Sequence, residues 1–166
     1  ACTHLVYELG NTKVTLRKSL TKVGDSRLSG YTKQMNRRLL ILTLGCVFLV
    51  GIFHQLGSIF YFYWQSVSFD FFMHALGALT ISLLFLWLWF VSGLFGKSTP
   101  SKREAMVNAI VVVILVGLGW ELFEYAYDIA TPIGGNYALD TFRDLLADFI
   151  GAVVGGFIGR LKVWYE

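Results

Sequence analysis

Carboxylates and one histidine recur at helical spacing in otherwise apolar parts of the chain. Residues three or four positions apart share one face of a helix. The sets are Asp70 with His74; Glu121, Glu124 and Asp128; and Asp140, Asp144 and Asp148. Carboxylates with a single imidazole suit Mg²⁺, Mn²⁺ or Ca²⁺ better than a structural zinc. The candidate metal ligands are therefore Glu121, Glu124, Asp144, Asp148 and His74.

The balance of charge around these acids is the most informative feature of the sequence. Seven acids in the three sets face only Arg143 and, when it is protonated, His74. An ionised carboxylate inside a membrane helix is costly, so it is paired, protonated or lining a wet cavity. A bound cation would offset the excess, and Asp70, Asp140 and Arg143 complete the predicted ligand-binding set. Protonation, or a shallow vestibule of solvated acids, is the alternative.

The elements that must position these residues are membrane helices. Of 166 residues, 55% are hydrophobic and 15% are charged. About 20 apolar residues cross a hydrocarbon core of roughly 30 Å. We predict an all-α polytopic bundle with four transmembrane helices, over about residues 39–60, 71–95, 105–128 and 142–161. The last two reach full length only if their carboxylates enter the membrane, and the alternative is a fourth segment that only dips into it.

The first 34 residues differ from the rest. They carry six Lys or Arg against Glu8 and Asp25, and their pattern fits a strand or a helix equally well. Met35-Asn36-Arg37-Arg38 resembles a natural start just before a first membrane helix. Residues 1–34 are either a cytoplasmic extension or a segment that is not native to the protein, and the absence of Met at position 1 favours the second.

The distribution of basic residues predicts the topology. With four crossings, 13 of the 14 Lys and Arg lie on one side, and Arg143 alone lies on the other. Basic residues concentrate in cytoplasmic loops. Both termini are therefore expected in the cytoplasm. The membrane that the protein crosses is expected to be the cell (inner) membrane. The acids then lie at extracytoplasmic helix ends, down to depths of roughly 10–12 Å at 1.5 Å per residue.

Small residues indicate which way the acidic faces point. Asp148 continues into Gly151, Gly155 and Gly159, and Gly117 precedes Glu121 by one turn. Stripes of small residues let membrane helices approach closely. We therefore expect Glu121, Glu124, Asp144 and Asp148 to point at one another inside the bundle, with His74 beside them. Asp140 is expected at a helix N-cap, and His54 in a helix–helix hydrogen bond.

Three segments resemble VanZ-like and YjdF-like bacterial membrane proteins. They are Asp70-Phe71-Phe72-Met73-His74-Ala75-Leu76-Gly77, Trp120-Glu121-Leu122-Phe123-Glu124, and the run from Asp140 to Ala152. The resemblance covers about residues 69–160. VanZ-like proteins usually have Asn near the place of Asp148 and Gln near that of Glu124. The resemblance implies an envelope protein, with some relatives linked to glycopeptide-antibiotic tolerance.

The sequence favours an extracytoplasmic-facing site that binds a divalent cation (Mg, Mn or Ca), or a cationic or lipid-headgroup ligand, and leaves open whether the protein is an enzyme. Membrane lipids are expected around the protein, and a lipid or an envelope precursor is the expected ligand. No nucleic-acid partner is expected. Two alternatives stay open. One is a non-catalytic subunit that binds other membrane subunits. The other is a small ion or proton carrier, which would place carboxylates at the membrane midplane.

Overall fold

The computed structural model describes residues 37–95, 99–127, 136–161 and 164, and this part of the chain is all-α with no strand. The prediction for residues 1–34 lies outside the described residues, as does Asp128. The helices are α1 (Arg37–Ile59), α2 (Phe62–Gln65), α3 (Val67–Leu86), α4 (Lys102–Tyr127) and α5 (Tyr137–Gly159). A π-helical turn, Trp87–Val91, continues α3. The all-α prediction is confirmed.

Three of these helices are long and apolar enough to cross a membrane: Arg37–Ile59, Val67–Val91 and Lys102–Tyr127. They agree with the predicted segments to within a few residues. Helix α5 has 23 residues, but its last 18 contain Arg143, Asp144 and Asp148, so its composition alone does not mark it as a membrane helix.

Side-chain contacts give the direction of each long helix. Phe53 of α1 packs edge-on against Phe72 of α3, so the end of α1 meets the start of α3. At the same end of the bundle, the hydroxyl of Tyr137 donates to the carbonyl of Glu121, which joins the start of α5 to the last turns of α4. Helices α3 and α5 are therefore parallel to each other and antiparallel to α1 and α4.

The end of the bundle that holds the start of α1 and α4 is packed from apolar side chains. Its buried cluster comprises Leu39, Cys46, Leu83, Leu86, Phe90, Val91, Ala105 and Ala109. Two buried hydroxyls lie nearby on α3, and each donates to its own helix: Thr80 to the carbonyl of Leu76 and Ser82 to that of Ala78. We call this the inner half. Among its described residues, both of these buried hydroxyls are satisfied within their own helix, as buried polar groups usually are.

Glycines bring α5 against α3 along this inner half. A Cβ added at Gly155 would lie 2.5 Å from Cβ and 3.0 Å from Oγ of Ser82. One added at Gly151 would meet the backbone carbonyl oxygen of Ala75. Not even one methyl group would fit at Gly151 or Gly155. Helices α3 and α5 therefore approach each other closely along the glycine stripe, as predicted.

The opposite end, the outer half, begins with a tight connection between α1 and α3. Tyr61 adopts a left-handed conformation (φ 58°), which turns the chain into α2. The side chain of Ser66 then caps α3 by accepting from the backbone N–H of Phe69. Asp70 consequently lies in the first turn of α3, with His74 one turn further on.

The start of α5 corrects one prediction. Asn136, and not Asp140, caps this helix, because its side-chain oxygen accepts from the backbone N–H of Leu139 at 3.2 Å. Asp140 therefore lies inside the first turn. The helix begins at Tyr137, five residues before the predicted boundary.

Candidate functional site

Asp70, His74 and Asp144 form the centre of the outer half. Each offers one ligand atom, and these atoms lie within 4.8 Å of one another. The i, i+4 spacing on α3 brings Asp70 and His74 onto one face, and the parallel packing of α5 brings Asp144 to the same level. Nε2 of His74 lies 3.9 Å from the Asp144 carboxylate. We call these three residues the triad.

Asp148 lies on the other side of the imidazole. Its carboxylate is 3.4 Å from Nδ1 of His74, so both ring nitrogens face an aspartate. The side chain also presses against Gly117 of α4, where an added Cβ would collide with an Asp148 carboxylate oxygen. Gly117 is therefore the position that lets a buried carboxylate lie between α4 and α5.

Glu121 is buried beside the triad without a partner. Only 6% of the residue is exposed, and its Oε1 atom has no hydrogen bond among the described residues. It is close enough to Asp70 and Asp144 for their charges to interact. Buried polar atoms in proteins are nearly always hydrogen-bonded, so we expect this oxygen to carry a proton or to contact a cation or a ligand.

The remaining predicted site residues lie around this centre. Glu124 is half-buried, lines the same cavity as Asp70 and His74, and accepts a hydrogen bond from Nε1 of Trp120 on its own helix at 2.8 Å. Asp140 is half-buried at the outer edge. Arg143 is also half-buried, and it forms no ion pair with an acid in the described part of the chain. Arg143 was expected to offset part of the negative charge of the acids, but it makes no ion pair with them among the described residues.

A cavity of about 480 Å³ opens beside the cluster. Its polar wall contains His54, Asp70, His74, Glu124, Asp140 and Asp148. Its inner end is apolar, with Val50 of α1, Ile81 of α3 and Val113 of α4. This size is within the range of small-molecule sites, which are typically about 300–1,000 Å³.

Tyr63 joins the α1 wall of the cavity to its outer edge. Burial, with a smaller effect from the charge of Asp70, raises the pKa of the Tyr63 hydroxyl to about 12. This hydroxyl therefore stays protonated near neutral pH and is able to donate to Nδ1 of His54, 3.0 Å away. The hydrogen bond of His54 therefore joins α1 to the short helix α2, in agreement with the predicted helix–helix hydrogen bond.

Two features of the site went beyond the sequence analysis. Asp70 was predicted as a binding residue but not as a metal candidate, although its spacing from His74 was a sufficient signal. Tyr63, Trp64 and Trp120 line the cavity. Aromatic residues near helix ends are typical of any membrane interface, so their positions in the sequence do not predict that these three line a cavity.

Comparisons with known proteins add one finding. No curated protein and no solved structure matches the chain. Residues 31–163 match a family described as "Predicted membrane protein (DUF2238)", and this range includes all the long helices and the cluster. The match covers well over half of the 166 residues and agrees with the apolar helices of the structure. The chain is therefore an integral membrane protein that belongs to this DUF2238 family.

Proposed function

We propose that the outer half of this protein is a binding site for a divalent cation, with Asp70, His74 and Asp144 as its protein ligands. The observation that carries the proposal is the convergence of these three donors from two helices to within 4.8 Å. Glu121 supports it independently, because its buried Oε1 atom has no hydrogen-bond partner among the described residues.

The two nitrogens of His74 have different roles in this proposal. Nε2 is on the side of Asp144, and Nδ1 is on the side of Asp148. A metal-binding imidazole usually binds through one nitrogen and donates the N–H of the other to a carboxylate. Asp148 would accept that N–H and hold the ring in place. It therefore acts as a positioning residue, whereas the sequence analysis had it among the metal candidates.

The donor set indicates the class of ion. Two carboxylates and one imidazole leave coordination positions for water or a ligand, which differs from a closed structural site. Oxygen donors suit Mg²⁺, Ca²⁺ and Mn²⁺, whereas imidazole suits the transition metals. Of the predicted ions, Mn²⁺ best fits the mixed set.

We also propose that α5 crosses the membrane, which gives four crossings with both termini cytoplasmic. Helix α5 lies along α3 from the level of Ala75 to that of Leu86, where Gly159 meets the Leu86 side chain. A parallel helix in contact over that length passes through the same depth of membrane. The described basic residues at the inner end are Arg37, Arg38, Lys102, Arg103 and Arg160. This end would face the cytoplasm by the positive-inside rule.

Cysteine labelling tests this topology. The chain has only two cysteines, Cys2 and Cys46, so a cysteine-free background needs two substitutions. In intact cells, Asn136→Cys should react with a membrane-impermeant maleimide, whereas Ser101→Cys and Leu161→Cys should react only after lysis. The reverse pattern would contradict the orientation. Reaction of Ser101→Cys together with Asn136→Cys in intact cells would contradict the crossing by α4, and reaction of Leu161→Cys together with Asn136→Cys would contradict the crossing by α5.

Neither alternative function gains support. A carrier needs a polar path across the bundle, but the cavity ends on the apolar cluster of Ala78, Val113 and Ala152. Below it the inner half is apolar. For a subunit of a larger assembly, the acids would have to face outward to meet a partner's basic residues, whereas Asp144 and Asp148 are buried.

We further propose that the protein is related to VanZ-like or YjdF-like proteins and acts in the cell envelope. Both proposals rest on the resemblance of the helix segments that carry the cluster. The triad uses Asp70, His74 and Asp144, which lie within that resemblance. The site would then face the extracytoplasmic side, where envelope precursors and lipid headgroups are found.

Thermal stability with added ions tests the cation site. An ion that binds only the folded state stabilises it by about 2.7 kcal/mol at 100 times its Kd. We expect Mn²⁺ to raise the melting temperature of the chelator-treated protein, and the gain to shrink at lower pH because protons compete for the same donors. Asp70→Asn and Asp144→Asn should remove the gain.

Glu104→Gln is the control, since it removes a carboxylate from the other end of α4. This variant should keep the full response to Mn²⁺. If no divalent ion changes the melting temperature of the unsubstituted protein, the proposed function is wrong. If Glu104→Gln loses the response as fully as Asp70→Asn, the effect is not located at the triad and the proposal fails.

A further inference from the structure

The lining of the cavity changes from acidic to apolar along one helix face. On α4 the lining residues are, from the outer end, Glu124, Trp120, Gly117, Val116 and Val113. The rise from Val113 to Glu124 is about 16 Å at 1.5 Å per residue. A ligand that fills this space has a polar group at one end and a hydrocarbon portion at the other.

The charge of the outer half selects the polar group. The cluster in the outer half contains six acids in addition to His74: Asp70, Glu121, Glu124, Asp140, Asp144 and Asp148. A divalent ion offsets only two of these charges. An anionic headgroup would add to the remaining excess, whereas a cationic headgroup would reduce it, and electrostatic complementarity of this kind determines which partners are accepted.

Aromatic residues at the same end of the cavity point to the same chemistry. Tyr63, Trp64 and Trp120 line it beside Asp70 and Glu124. About half of each tryptophan is exposed, so both rings remain available for contact. Cations are attracted to the faces of such rings, and aromatic side chains grouped around a quaternary ammonium are a recurring mode of recognition.

A second histidine lies deeper on the α1 wall. His54 is exposed although it belongs to a membrane helix, and its Nδ1 atom pairs with Tyr63. Its Nε2 atom has no partner among the described residues. Polar side chains inside membrane helices usually face a cavity or a protein partner, and His54 lines this cavity.

From these observations we infer that the cavity binds an amphiphile with an ammonium headgroup and a hydrocarbon chain. The headgroup lies among Trp64, Trp120 and the acids, and the chain extends toward Val113. The inference deepens the proposed function and rests on it, since the acids that remain after cation binding select the headgroup. The buried, unpartnered Glu121 is the independent sign that this cluster lacks positive charge.

Native mass spectrometry of the protein released from neutral maltoside micelles tests the inference by counting bound probe molecules. We expect one dodecyltrimethylammonium per chain. Dodecyl sulfate has the same chain with the opposite charge, and tetramethylammonium has the headgroup without the chain. Both should bind at least tenfold more weakly. Equal binding of either one would overturn the inference.

Two glycine variants locate the site. A Cβ at Gly77, which lines the cavity, or at Gly119, which is exposed elsewhere on α4, would meet nothing within 4 Å. Gly77→Leu should therefore fold and lose the ammonium probe, while Gly119→Leu should fold and keep it. Glu124→Gln should weaken binding by about tenfold, the size of a contact worth 1.4 kcal/mol. Unchanged binding in both Gly77→Leu and Glu124→Gln would overturn the inference.

Each titration is run with chelator and with Mn²⁺, which separates the two proposals. Bound Mn²⁺ and bound ammonium probe are counted separately in the same spectra. Ammonium binding without any bound Mn²⁺ would contradict the proposed cation site, while the bound probe itself would support the cavity. Bound Mn²⁺ without bound ammonium would contradict the amphiphile cavity and leave the cation site supported.

Discussion

The outer and inner halves of this bundle treat polar groups in opposite ways. In the inner half, buried Ser82 and Thr80 hydroxyls each bond to a carbonyl of their own helix. In the outer half, Asp144 and Asp148 are as deeply buried, and their nearest cationic partner is the single imidazole of His74. The inner half is built to hold helices together, and the outer half keeps an excess of negative charge that only a further cation or protons can relieve.

Two glycines on the α3–α5 side of the bundle have different effects. Gly155 in the inner half has no room for a methyl group, whereas Gly77 borders open space in the cavity. Glycine therefore serves close packing at the first position and leaves volume for a ligand at the second. Stability and binding should respond separately to substitutions in the two halves.

The largest expected effect on stability tests that separation of glycine roles. Gly155→Ala should lower the free energy of unfolding by about 1–3 kcal/mol, the usual consequence of overpacking a core. Gly77→Ala should be neutral or should stabilise by up to about 1 kcal/mol, because alanine favours a helix over glycine. Thermal melts in one detergent compare the two, and equal losses would contradict the difference in packing.

A smaller effect of opposite sign is expected at Glu121. Its buried oxygen has no partner, and an unsatisfied buried polar group costs about 1–3 kcal/mol. In chelator, Glu121→Gln should therefore raise the melting temperature, because the uncompensated charge is removed. A lower melting temperature in chelator would show that the carboxylate is already compensated and would remove the contrast between the halves.

The smallest effect should come from the inner half. Ser82→Ala removes a hydroxyl that donates to the Ala78 carbonyl at 2.9 Å. Such back-bonding within a helix contributes little, so the loss should be below about 1 kcal/mol. The substitution should leave the response to Mn²⁺ unchanged. A loss larger than that of Gly155→Ala would contradict the view that close approach at Gly155 contributes more to stability than this hydrogen bond within α3.

Much of the fold could be predicted from the sequence because membrane helices carry strong local signals. Long charge-free runs predicted α1 and α3 to within a few residues. The acids at helical spacing gave the shared faces of α3 and α5, since the period of a helix fixes which side chains align. The N-cap of α5 was misplaced because Asn136 and Asp140 are both good caps, and the choice depends on a hydrogen bond to Leu139.

The arrangement of the site was harder to predict, because it depends on how the helices rotate against one another. Spacing placed Asp70 beside His74, but it could not show that Asp144 of another helix joins them, or that Glu124 accepts a hydrogen bond from Trp120. The inward placement of Trp64 depends on the turn at Tyr61. A tyrosine with a left-handed backbone conformation is uncommon, so the sequence pattern does not predict this turn.

Electron paramagnetic resonance of bound Mn²⁺ tests the central claim most directly. The protein is stripped with chelator, loaded with Mn²⁺ and washed, and the number of ions per chain and the nitrogen coupling are measured. The triad predicts one ion per chain, with coupling to the imidazole nitrogen of His74. That coupling should disappear in His74→Gln and persist in His54→Gln. No retained ion, or a nitrogen coupling that survives His74→Gln, would contradict the proposed site.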